Sequence, residues 1–151
     1  MSRSTDNINL IWAAAGVAAA EALSAKMYLE YLIYDLDTII NINNSMYKSD
    51  RSDNQIALDI VRQNIGILAT EANEALNYTK MCVESADAEA ECVQSIASSI
   101  TLNDTRQNIS SKLALAIASL RKSENFTNLA ERHYMKTAFI RKEIEELYAS
   151  I

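Results

Sequence analysis

The sequence predicts an all-α fold: an up-down bundle of four to five helices, led by a long apolar N-terminal helix. Three observations predict it. The 151 residues include no proline and only two glycines, where average usage would supply about 7 and 10. One segment repeats apolar residues at alternating steps of three and four. Clusters of Ser, Asp and Asn stand where turns are needed. Hydrophobic residues make up 49% and charged residues 23%, which suits one folded domain over 1–151 rather than a disordered chain.

The first helix is expected to start near Asp6, whose carboxylate can accept from the free N–H groups of the first turn. Its apolar pattern runs to about Met46. Residues 8–20 hold a single polar side chain, Asn9. That stretch is too short to span a bilayer, which takes about 20 apolar residues. The preceding segment has no net positive charge, unlike a secretory signal. It reads as a helix buried on most sides, with Gly16 allowing close approach of a neighbour. From Met27 the pattern turns amphipathic and aromatic, with Tyr28, Tyr31 and Tyr34, residues that suit packing or an interface.

Tyr47–Asp53 reads as a polar loop, with Ser52 or Asp53 capping the next helix. That helix carries Leu58, Val61, Ile65, Leu68, Ala72, Ala75, Thr79 and Cys82 at steps of 3,4,3,4,3,4,3, the coiled-coil-like seam of a helix packed in a bundle. Gly66 lies inside it. Glu84–Glu91 holds four acids among small residues and is expected to turn, with Val93, Ile96 and Ile100 sharing a helical face beyond it. Thr101–Thr105 marks another boundary, where Asn103 or Asp104 would cap a helix carrying Ile109, Leu113, Ala116, Ile117 and Leu120. Ser123–Thr127 marks a weaker boundary. The last helix would place Phe126, Leu129, His133, Thr137, Ile140, Ile144, Leu147 and Ile151 on one face.

Few chemistries fit these residues. Glycine-rich phosphate loops and dinucleotide fingerprints need glycines the chain lacks. Di-iron bundles need Glu-x-x-His pairs; the single histidine, His133, has Ala130 three residues before it. His133 reads as a partly buried structural residue. No catalytic, metal-binding or cofactor-binding residues are predicted, and no cofactor. The net charge of −6 disfavours nucleic acid, whose phosphates need a basic face. Cys82 and Cys92 sit symmetrically about the expected acidic turn, so a helical hairpin would bring them together as a disulfide. Such a bridge would imply an oxidising, extracellular or virion-like setting; nothing else in the sequence fixes a location. Five Asn-x-Ser/Thr triplets, beginning at Asn43, Asn77, Asn103, Asn108 and Asn125, read as composition.

The expected function is structural: a non-catalytic, self-assembling helical subunit of the coat, shell or filament type. The N-terminal helix is more apolar than a monomer of this size needs. Ile8, Leu10, Ile11, Trp12, Gly16 and Val17 form the candidate assembly surface. Charge is also polarised, at −9 over residues 1–105 and +3 over 106–151, which suits head-to-tail contacts between copies. The expected partner is therefore another copy of the chain. The alternatives are a helical adaptor or secreted effector that binds another protein, and a membrane-active bundle that releases its first helix into lipid.

Overall fold

The computed structural model describes residues 3–48 and 55–151, which form three helices. They are α1 (Arg3–Lys48), α2 (Gln55–Ser98) and α3 (Arg106–Ala149). The all-α class holds, and the helices pack against one another. Their number is three rather than four or five. The first connection, with the candidate caps Ser52 and Asp53, lies outside the described residues.

Two expected breaks are uninterrupted helix. Through Glu84–Glu91, Ala86, Ala88 and Ala90 are the strongest helix formers available, and no proline or glycine opposes them. The buried repeat also runs straight through. Leu58, Ile65, Ala72, Thr79, Ala86 and Val93 recur every seven residues, and all are buried. The acids fall to the sides of that line: Glu84 and Glu91 are exposed, Asp87 and Glu89 half-buried. Asp87 reaches Lys26 of α1 at 3.3 Å.

Ser123–Thr127 is likewise interior helix. Ser123 and Thr127 are core residues of α3, on or beside its own seven-residue line of Ile109, Ala116, Ser123, Ala130, Thr137 and Ile144. Hydroxyl residues weaken helices when they compete for backbone groups. A hydroxyl that bonds the carbonyl four residues back does not break the ladder. Thr127 Oγ1 donates to Ser123 O at 3.1 Å and to Glu21 O of α1 at 2.9 Å.

The break at Thr101–Thr105 is real, with a different cap from the one expected. Thr105 Oγ1 accepts from the Asn108 N–H at 3.1 Å and so caps α3. Asp104 closes the turn before it, accepting from the Thr101 N–H at 2.7 Å and from Lys112 Nζ at 3.0 Å. The Thr101 N–H and then Lys112 hold the Asp104 carboxyl below its ordinary range. Lys112 also donates to Ser99 O at 2.9 Å, tying the end of α2 to α3.

The chain divides into two compact units, and each helix contributes to both. Unit 1 is Met1–Met27 with Met81–Ala130. Its core joins Ile11, Ala14, Ala15 and Ala18 of α1, Val93 and Ala97 of α2, and Ile109 and Ala116 of α3. Small side chains dominate it, so the helices pack closely. Unit 2 is Tyr28–Lys80 with Glu131–Ile151. Its core is larger-grained, with Leu32, Leu36, Ile39, Met46, Leu58, Ile65, Ile140 and Ile144. The expected α2 seam is buried or half-buried at all eight positions. Within each unit α1 meets the opposite end of α2, as in an up-down arrangement, and runs alongside the matching part of α3.

Candidate interaction surface

α1 repeats its buried residues every seven positions, at Ile11, Ala18, Ala25, Leu32, Ile39 and Met46, none of which has exposed surface. An ordinary bundle helix would turn a charged face to the solvent. The first half of α1 does not. Residues 7–20 carry no charge. An eighteen-residue stretch of this helix has a mean hydropathy of 1.5, and only 33% of it is buried. Leu10 is 54% exposed, Trp12 and Val17 46%, and Leu23 61%. Ala13, Gly16, Ala19 and Ala20 are exposed between them. The face is therefore apolar and open at once.

The six candidate assembly residues separate by helical position. Leu10, Trp12, Gly16 and Val17 point outward. Ile11 lies in the core of unit 1, and Ile8 packs half-buried against that core. A helix turns about 100° per residue, so no single face holds all six. A β-carbon at Gly16 would meet nothing within 4 Å. The close helix approach expected at that glycine does not occur among the described residues, and the notch opens outward.

Cys82 and Cys92 are both free, Cys82 buried and Cys92 exposed. The expected bridge depended on a turn between them, and α2 is continuous there. Ten residues of helix separate their α-carbons by about 15 Å along the axis, whereas a disulfide needs about 4.4–6.8 Å. Burial raises the pKa of the Cys82 thiol above its ordinary value. Cys92 Sγ instead accepts from the Ser119 hydroxyl at 3.4 Å.

His133 is half-buried and stacked on Tyr78, with ring centroids 5.5 Å apart and planes 14° apart. Burial first and Lys136 second lower its pKa from the ordinary 6.5. The folded state thus holds its proton less tightly than the unfolded chain. The resulting stability is present above pH 6.5 and is lost as pH falls through the depressed folded value. Urea midpoints should therefore drop on mild acidification, and His133→Gln should flatten part of that drop. An identical pH profile for the variant would count against this role.

Elsewhere on the last helix, Thr137, Ile140 and Ile144 are buried as expected, whereas Leu129 is exposed. Unit 2 also holds an open groove of about 520 Å³ between α2 and α3, lined by Asn64, Ile67, Leu68, Glu143, Glu146, Leu147 and Ser150. Its one hydroxyl, on Ser150, donates to Leu147 O at 2.6 Å. No group of three or more metal-ligating side chains occurs among the described residues.

Two interactions in unit 2 carried no sequence signal. Asp35 is buried and accepts from Arg141 Nη1 at 2.8 Å, while Arg141 Nε donates to Glu145 at 2.7 Å. Tyr134 packs between Tyr28 and Tyr31, with ring centroids at 5.9 and 5.7 Å. These pairings join α1 to α3 across more than a hundred residues of sequence, which helical periodicity does not encode. The chain matches no protein-family model, no curated protein and no solved structure.

Proposed function

We propose that the chain is a non-catalytic structural subunit that associates with copies of itself through the outward face of α1. The observation that carries this reading is the exposed apolar surface formed by Leu10, Trp12, Val17 and Leu23 with the small residues between them, on a stretch whose residues 7–20 bear no charge. Such a surface raises the free energy of an isolated molecule in water, by roughly 25 cal/mol for each Å² left uncovered. A contiguous apolar patch of this kind on a folded protein marks an interaction site. Coat, shell and filament subunits are the class that needs such a face and no active site.

A second reading draws on the same apolarity, with α1 lying on a lipid surface. It is the weaker one, because much of the face is Ala and Gly, which gain little on transfer to hydrocarbon. Flotation with lipid vesicles, beside sedimentation without lipid, tests both. The proposal expects a multimer in buffer at physiological salt and no flotation. A monomer that floats with vesicles would replace it with the membrane reading. Removing residues 1–25 would not be a clean test, because Ile11, Ala14, Ala15 and Ala18 belong to the core of unit 1.

A further inference from the structure

From the separation of exposed charge between two helices, we infer a second contact between copies: the acidic outer face of α2 on one copy binds the basic outer face of α3 on the next. This rests on the self-association proposed above and adds a contact that the open face of α1 does not make.

Over residues 121–142 of α3, ten side chains are exposed. Five of them are cations, Arg121, Lys122, Arg132, Lys136 and Lys142, and none is an acid. Arg121, Arg132 and Lys142 each stand two residues from the buried line at Ser123, Ala130 and Ile144, about 200° round the helix and so on its back. The two acids of the stretch, Glu124 and Glu131, are half-buried. Each directly follows a core residue, on the flank of the helix. Beyond Lys142 the sign changes, at Glu143, Glu145 and Glu146, of which Glu145 is held by Arg141.

α2 shows the opposite sign. Over residues 70–95 its exposed charges are Glu74, Glu84, Glu91 and Lys80. The three acids each stand two residues from the buried line, at Ala72, Ala86 and Val93, and therefore also point away from the core. Lys80 lies seven residues before Asp87, on the flank where Asp87 meets Lys26 of α1. Among the described residues, none of these three acids or of the five cations of α3 makes an ion pair.

The two faces also match in height. In unit 1, Ser119 of α3 bonds Cys92 of α2, which sets Glu91 level with Arg121 and Lys122. In unit 2, His133 stacks on Tyr78, which sets Glu74 level with Lys136. Copies set side by side in one orientation therefore bring acid to cation without a shift along the helices. An anionic bilayer or a nucleic acid would use the cations of α3 and leave the acids of α2 without a counterpart, whereas a second copy uses both. Complementary charge of this kind fixes which faces meet. The contact joins two different surfaces, so its repetition builds a ring or an open array.

The test uses the full chain and two variants at exposed sites, with circular dichroism to confirm that each folds. Arg121→Glu with Arg132→Glu makes both faces acidic, and Glu84→Lys with Glu91→Lys makes both basic. Each variant alone should associate about tenfold or more weakly than wild type. An equal mixture of the two should recover association, because each then offers the other an opposite face. The second variant separates the contact from general repulsion. It brings the net charge closer to zero, which by itself would strengthen association, whereas loss of the contact weakens it. Weakening in both variants with recovery on mixing supports the inference. A multimeric wild type whose association both variants keep overturns it and leaves self-association standing through another surface. Weakening in the α3 variant alone, with no recovery on mixing, also overturns it and assigns the cations to another anion. A monomeric wild type overturns both readings.

Discussion

Replacing Ala88 by proline will cost about 3 kcal/mol or more of folding stability, although the side chain is exposed. Proline at that position removes one backbone hydrogen bond, and its ring collides with the carbonyl of Glu84 in the preceding turn. Against a total stability of about 5–15 kcal/mol for an ordinary domain, that loss is visible as a large fall in the urea or thermal midpoint. The companion substitution is Leu102→Pro. Leu102 occupies the second position of the Thr101–Asp104 turn, which is closed by the Asp104 N–H to Thr101 O bond of 3.2 Å. Proline is favoured at that position, and the change should stay within about 1 kcal/mol. A wild-type midpoint for Ala88→Pro would mean that the chain turns in the acidic segment.

The second large effect is at Arg141. Its guanidinium binds Asp35 and Glu145 and lies over the Tyr34 ring, 5.6 Å from the centroid. Glu145 first and Asp35 second hold it charged more firmly than an ordinary arginine. Arg141→Met leaves the buried Asp35 carboxylate without its cation. Breaking a buried pair costs about 3–5 kcal/mol. The arginine side chain is 31% exposed, so water softens the loss towards the lower figure. Asp35→Asn should cost less, because the exposed edge of Arg141 keeps Glu145. The double variant Asp35→Leu, Arg141→Met should recover most of the loss, since no charge is left buried alone. Equal midpoints for Arg141→Met and wild type would show that the pair adds nothing.

Much of the fold was legible in the sequence. The absence of proline and the 3,4 spacing from Leu58 to Cys82 identify helices, and every position of that seam is buried or half-buried. The error lay in reading polarity as a turn. Glu84, Asp87, Glu89 and Glu91 are polar because they flank the buried line, and that line continues from Thr79 through Ala86 to Val93 in steps of seven. The same step runs from Ala116 through Ser123 to Ala130, where the hydroxyl residues belong to a tightly packed core. Ser123 Oγ is buried without a hydrogen-bond partner, a cost that composition alone does not reveal. The disulfide failed with the turn it required. The open apolar face of α1 was half legible: the apolar run marked the segment, but which of its residues point outward depends on where α2 and α3 lie. Asp35 with Arg141 was out of reach, because the pairing depends on the register of two helices far apart in sequence.

The proposed role is that of a building block whose open α1 face joins it to other copies. Its most direct test is the molar mass of the untagged chain by light scattering, from low to high micromolar concentration at physiological salt. A self-associating subunit will show a mass of at least twice the 16.8 kDa of the single chain, falling towards that value on dilution. A constant 16.8 kDa across the whole range would contradict it.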